Sequence, residues 1–210
     1  MKNNLKMLKQ VQHDDMQGRS MVEMLGVLAI IGVLSAGGLA GYSKAMFKHK
    51  LNNTMDQITM LVTNIRTMYG SQGNYTKLDE DLVDLGIVPP VMGTDPDALT
   101  NPFKGGVTIA PIKLTGSTLD NSGFTITYSG LPDEACIALA TADFGSGAGS
   151  GFIGAQINDE DPSGEYGTTT EGKAYGMGGV GADAESGKGA LDYCGDEGHE
   201  DNNTIIWTFY

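Results

Sequence analysis

An uninterrupted apolar stretch near the N-terminus constrains this chain more than any other feature. Residues 24–43 contain no side chain that would be charged at neutral pH. As a helix, these 20 residues span about 30 Å, the thickness of the hydrocarbon core of a bilayer. Basic residues flank the stretch on both sides, so charge alone does not decide its orientation. The sequence therefore predicts a helix that is able to cross a membrane.

Two simpler interpretations of the stretch stay open at this point: a secretory signal peptide and a plain membrane anchor. A signal peptide has an apolar run of about 7–15 residues and a small-residue cleavage site. Here the run is longer, although residues 35–37 (SAG) imitate such a site. Neither interpretation accounts for Glu23, because a carboxylate beside an apolar stretch is costly without a partner. Glu23 either lies at the headgroup level or finds its partner on another molecule.

The residues that precede the stretch carry a processing motif. Residues 18–23 (GRSMVE), followed by the apolar run, resemble the class III leader of type IV pilins and pseudopilins. The resemblance implies that a prepilin peptidase cuts between Gly18 and Arg19 and methylates the new N-terminus, which leaves a mature chain of 192 residues. It also implies that Glu23 neutralises the α-amino group of a neighbouring subunit and sets the register between subunits. Arg19 departs from the apolar first residue that is usual in the family.

Apolar residues continue at helical spacing beyond the stretch. Steps of three and four predict that the helix continues as an amphipathic outer half, so that the whole helix runs from about Ser20 to Tyr69 and ends at Gly70 and Gly73. The predicted apolar face of its outer half consists of Phe47, Leu51, Met55, Ile58, Val62, Ile65 and Tyr69.

Three glycines interrupt the inner part of this helix, at positions 37, 38 and 41. Each weakens a helix by about 1 kcal/mol relative to alanine. Two explanations stay open. The glycines allow close packing between helices, or they form a weak point that extends when a filament is assembled or pulled.

The charges are distributed unevenly along the chain. The net charge of the whole chain is −13. Residues 1–50 carry seven basic and three acidic residues, a net charge of +4, whereas residues 51–210 carry six and 23, a net charge of −17. Binding to nucleic acid needs a surplus of lysine and arginine, so nucleic-acid partners are not predicted.

Helix and strand signals are segregated after Tyr69, which predicts an α+β domain. Residues 78–85 and 133–144 are predicted to be helical, and residues 107–114, 124–128, 152–157 and 204–210 are predicted to form an antiparallel sheet. Pro111 weakens the first of these strands.

Four segments of this domain resemble stretches of type IVb pilins: residues 70–75, 84–88, 101–105 and 129–136. The resemblance implies a long N-terminal α-helix, amphipathic in its outer half, packed on an antiparallel sheet. It implies that Cys136 and Cys194 form a disulfide that encloses a D-region facing outward from the filament. An oxidising compartment favours such a pair; two unpaired buried thiols are the alternative.

These signals divide the chain into consecutive parts. The predicted parts are a leader peptide (1–18), a hydrophobic half-helix for the membrane and the filament core (19–43), an amphipathic half-helix (44–70) and a globular head (71–210) with a D-region (136–194).

The sequence offers one weak candidate for a metal site. Asp159 and Asp161 match the first half of a calcium loop, but Thr170 stands where that loop requires glutamate. We therefore predict no resident metal or cofactor, with Ca²⁺ as the one ion to consider. Two GxGxxG matches lie in a glycine-rich acidic tract and lack the strand and helix that a dinucleotide site needs.

The resemblance implies a structural pilin subunit and not an enzyme. Its partners would be further copies of the chain, the prepilin peptidase, and the assembly ATPase with its inner-membrane platform. The precursor would reside in the inner membrane and the mature chain in an extracellular pilus on the bacterial surface, which serves adhesion, aggregation, motility or mating contact. The alternatives are a minor pilin or type II secretion pseudopilin and, in another class, a membrane-anchored exported enzyme or binding module.

Overall fold

The computed structural model describes residues 2–114, 117–142, 144, 151–158, 174–175, 193–195 and 198–210. The chain divides into two compact units, Met1–His49 and Lys50–Tyr210. The elements in chain order are α1 (Lys2–Tyr69), α2 (Leu78–Asp81), a 3₁₀ helix (Pro96–Ala98), β1 (Val107–Ile112), β2 (Gly123–Leu131), α3 (Asp133–Ala140), β3 (Phe152–Ile157), β4 (Ala174–Tyr175) and β5 (Asn203–Phe209).

The first unit consists of the N-terminal part of helix α1, which continues into the second unit. The helix begins at Lys2 and not near Ser20 as predicted, because residues 2–18 contain no proline and are rich in residues that favour a helix. It ends at Tyr69, and the N–H of Gly70 still bonds to the carbonyl of Arg66. Apolar side chains from Met21 to Leu39 are 52–75% exposed. α1 is long and apolar enough to cross a membrane by length and composition.

The second unit is built on an antiparallel sheet, so the prediction of an α+β fold is confirmed. The order of the described strands is β1-β2-β5-β3-β4. The last strand of the chain therefore lies between β2 and β3, which explains its run of apolar residues. Pro111 lies opposite Phe124 on β1, an edge strand, which is where a sheet tolerates proline.

The last part of α1 packs on this sheet through one helical face. Ile58, Leu61, Ile65 and Tyr69 are buried in one core cluster with Trp207 of β5. The predicted face omitted Leu61, which is fully buried, and included Val62, which is partly buried against the core. The spacing identified the correct side of the helix and missed one of its buried residues.

Several element boundaries differ from the predictions. α2 ends at Asp81 and α3 at Ala140, each earlier than predicted, whereas β2 is longer and runs from Gly123 to Leu131. The short strand β4 was not predicted, because two residues among glycines carry no strand signal of their own.

Tyr128 buries a hydroxyl group that has no hydrogen-bond partner in the described part of the chain. Its ring meets Trp207 edge to face, with the centroids 5.6 Å apart, and burial raises the pKa of the phenol. We expect Tyr128→Phe to leave the free energy of unfolding unchanged or to raise it, since no hydrogen bond is lost. Urea unfolding at neutral pH tests this, and a loss above about 1 kcal/mol would contradict it.

The same residue predicts a pH dependence. Because the folded pKa of Tyr128 is raised, its contribution to stability is complete below the unfolded pKa of about 10 and is lost as the pH rises further. The wild-type chain should therefore lose more stability between about pH 9 and pH 11 than the Tyr128→Phe variant does.

Candidate assembly segment and disulfide region

The residues predicted to act in processing and register all lie in α1. Gly18 and Arg19 lie in the part of α1 that belongs to the first unit of the chain, and Glu23 follows Arg19 by about one helical turn. The Glu23 side chain is exposed, and no ion pair to it is found among the described residues. The apolar stretch that follows is exposed as well, and such a surface is suited to lipid or to other protein chains.

Cys136 and Cys194 form a disulfide, as the family resemblance implied. Their Cα atoms are 5.8 Å apart, and both residues are buried. The bond joins α3 to the segment before β5 and closes a loop that contains β3 and β4.

A buried asparagine, Asn203, holds three chain segments together beside this disulfide. Its Nδ2 donates to the carbonyl oxygen of Leu131 (3.1 Å) and to Oδ1 of Asp133 (2.8 Å). Its Oδ1 accepts from the N–H of Gly195 (2.8 Å) and from Nδ2 of Asn158 (2.9 Å). Every hydrogen-bonding position of this amide is therefore used.

Asn158 extends the network from the end of β3. Its Nδ2 also donates to the carbonyl oxygen of Tyr193 (2.8 Å), and its Oδ1 accepts from the N–H of Thr204 (2.8 Å). Its φ of +52° lies in the left-handed region, which asparagine tolerates better than most residues. The end of β3 is thus fixed to the residue next to Cys194.

Asp133 completes the network at the first residue of α3. Its Oδ1 also accepts from the N–H of Asp201 (2.9 Å). Gly195, which follows Cys194, has a φ of +78°, and a Cβ there would lie 2.6 Å from Oδ2 of Asp133. Only glycine fits this position without displacing the carboxylate. The disulfide and the polar network therefore brace the same junction.

Replacing Asn203 by aspartate tests the network. The new carboxylate would place an acceptor against the Asp133 carboxylate and the Leu131 carbonyl, where Nδ2 now donates. We expect the free energy of unfolding to fall by about 3 kcal/mol, measured by urea unfolding at neutral pH. The exposed neighbour Asn202 provides the control, because Asn202→Asp should change it by less than about 0.5 kcal/mol. Equal losses in the two variants would contradict the assigned role.

The candidate calcium ligands Asp159 and Asp161 lie outside the described residues. Within the part of the chain that is described, no group of three or more His, Cys, Asp or Glu residues is placed to hold a metal ion.

The asparagine network is the feature that sequence reasoning missed. The residues of the network lie far apart in the chain, and the sequence shows each of them only as a polar residue beside a strand or helix. The position of Asn203, as the first residue of the apolar strand β5, is the one signal that could have drawn attention to it.

Comparison with known proteins yields a family match. The family model described as PilS N terminal matches residues 48–210. The chain is 27% identical over 157 residues to the major structural subunit of the bundle-forming pilus of Escherichia coli O111:H-, covering 74% of this chain and 78% of the relative. It is 28% identical over 135 residues to the toxin coregulated pilin of Vibrio cholerae serotype O1, covering 60% and 57%.

A solved structure shows the same fold. It is the crystal structure of TcpA, a type IV pilin from Vibrio cholerae El Tor biotype, with a TM-score of 0.52 and 17% sequence identity. The similarity covers 77% of this chain and 99% of that chain.

Proposed function

The chain belongs to the PilS family of type IV pilins, and from this premise we propose how it is processed and assembled. It is a structural subunit of a type IVb-like pilus and not an enzyme. One observation carries the proposal for assembly: a single helix exposes a long apolar surface over residues 24–43 and forms part of the core of the second unit in its last turns. Such a helix serves first as a membrane anchor and then as the packed centre of a filament.

We infer that maturation occurs at the N-terminal end of α1. A prepilin peptidase cuts between Gly18 and Arg19, so residues 1–18 act as a leader and residues 19–43 as the membrane and filament-core segment. The leader and this segment lie outside the family match, which begins at residue 48. The proposal therefore rests on the motif GRSMVE and on the apolar stretch itself.

Glu23 is proposed to form the contact that sets the register between subunits. An exposed carboxylate at the edge of an apolar helix becomes buried when such helices pack together. The α-amino group that cleavage creates at Arg19 of a neighbouring copy carries the opposite charge. Pairing the two removes two isolated buried charges at once, and it does so only at one axial offset.

The remaining parts follow from this arrangement. Residues 44–70 connect the filament core to the head (71–210), and residues 136–194 form a D-region on the outside of the filament. The partners are further copies of the chain, the prepilin peptidase, and the assembly ATPase with its inner-membrane platform. The precursor resides in the inner membrane, and the mature chain resides in a surface pilus for adhesion, aggregation, motility or mating contact.

The intact mass of the chain in filaments sheared from the cell surface tests this proposal. We expect a species that starts at Arg19 and is two hydrogens lighter than the reduced chain because of the disulfide. An additional methyl group would assign N-methylation to Arg19.

Other outcomes of the same measurement select the alternatives. A processed chain that is found only in the inner membrane would favour the minor pilin or pseudopilin. A chain that still starts at Met1 in its final location would overturn the proposed processing and favour a membrane-anchored exported protein.

A further inference from the structure

A cleft of about 220 Å³ opens in the second unit, between the part of α1 that follows residue 50 and the loop that follows α2. Its lining combines apolar, amide and acidic side chains: Asn53, Asp56, Gln57 and Met60 from α1, and Pro89 and Val91 from the loop. All six residues belong to the second unit.

The cleft combines three features that a single kind of side chain would satisfy. The Oε1 atom of Gln57 is buried and accepts no hydrogen bond from the described residues. Met60 and Val91 are apolar but 49% and 78% exposed. Asp56 is exposed, and it forms neither of the two ion pairs found in the described part of the chain. A lysine supplies a donor for Oε1, an apolar stem for the walls and a positive charge for the carboxylate.

The chain itself carries lysines in a suitable place. Lys44 and Lys48 are exposed on α1, and neither takes part in the ion pairs of the described region. Lys44 and Lys48 are four residues apart, so they lie on one face of the helix. Gly37 and Gly41 lie on the same face, because positions 37, 41, 44 and 48 follow one another at steps of four, three and four. A Cβ added at either glycine would meet no atom within 4 Å. This face therefore allows another molecule to approach the helix backbone closely at the two glycines, and it presents two positive charges next to them.

We propose that the cleft binds the Lys44–Lys48 face of α1 from a second copy of the chain. The stem of Lys48 lies along Met60 and Val91, and its ammonium group donates to Oε1 of Gln57 and pairs with the Asp56 carboxylate. The charge distribution supports this partner, since residues 19–50 of the processed chain carry four basic residues and one acidic residue, a net charge of +3, whereas residues 51–210 carry −17. The inference rests on the proposed function, because the two copies are brought together in the filament.

Exchanging the charges between the two surfaces tests the docking. Asp56→Lys and Lys48→Asp are each expected to lower the amount of sheared filament at least tenfold, with the amount of processed subunit in the membrane unchanged. The double variant Asp56→Lys/Lys48→Asp restores the opposite charges and should return filaments to within about threefold of wild type. Asp79→Lys makes the same change of charge on the exposed surface of α2 and should have no effect.

The outcomes separate this docking from the function on which it rests. If the wild-type chain is found in sheared filaments and Asp56→Lys produces the same amount of filament, the docking proposal is overturned and the proposed function is not. Failure of the double variant to assemble, with its subunit stable in the membrane, would exclude Lys48 as the occupant and overturn it as well. Absence of the wild-type chain from sheared filaments would overturn the proposed function itself.

A second variant tests the cleft without changing any charge. Gln57→Met keeps the length of the side chain and removes the buried acceptor. We expect it to lower the amount of filament at least threefold while the unfolding midpoint of the subunit stays the same or rises. Wild-type filament levels in Gln57→Met would contradict the proposed contact with the lysine.

Discussion

A Glu23→Ala variant is expected to accumulate as a processed subunit in the inner membrane and to be nearly absent from surface filaments. With the proposed contact, this variant would leave the α-amino group of a neighbouring subunit in the apolar core of the filament without a counter-charge. Breaking one side of a buried ion pair costs about 3–5 kcal/mol. A loss of about 3 kcal/mol lowers the equilibrium constant for adding a subunit more than a hundredfold. The measurement is the ratio of sheared to membrane-bound chain.

Two further variants separate the charge of Glu23 from its size. Glu23→Gln preserves the shape and should fail almost as completely as alanine, because the amide carries no charge. Glu200→Ala, which removes an exposed carboxylate of the head, should assemble normally. If Glu23→Ala cells produce wild-type amounts of filament, the proposed register contact is wrong.

Removing the disulfide should cause the largest loss of stability in the head. The double variant Cys136→Ala/Cys194→Ala opens a loop whose ends are 58 residues apart in the sequence. In the chain-entropy model, closing such a loop contributes about 4 kcal/mol to the free energy of unfolding. Residues 158–192, which lie between the cysteines, are acidic and rich in glycine, so this segment has few apolar residues with which to order itself. We therefore expect a loss of this size in urea unfolding, together with faster proteolysis.

Reduction of the wild-type chain provides the matched control. A reducing agent should lower the stability of the wild type to the level of the double variant and should leave the variant unchanged. The polar network around Asn203 stays in place in both cases, so the folded head should persist with lower stability. A loss below about 1 kcal/mol would show that the network alone holds the junction.

Much of the fold could be predicted because its signals are local. The prediction of α1 rested on apolar residues at spacings of three and four, and its C-terminal end at Tyr69 agrees with the structure. The predicted strand at residues 152–157 is β3, and most of the predicted strand at 204–210 is β5. The predicted start of α1 near Ser20 followed the motif at Gly18, and a motif for proposed processing does not indicate where the helix of the uncut chain begins, which is at Lys2.

The sequence by itself determined the apolar helix, the GRSMVE motif and the uneven distribution of charge, since each depends only on residues that are close in the chain. Only the tertiary structure decided that β5 lies between β2 and β3, that Asn158 and Asn203 meet beside the disulfide, and that Gln57 faces a cleft near Val91. These arrangements join residues that are 34 to 85 positions apart, as the pairs Gln57–Val91 and Phe124–Phe209 illustrate at the lower and upper ends. Such pairings depend on which apolar surfaces cover one another in the folded chain, and no local pattern of residues encodes that choice.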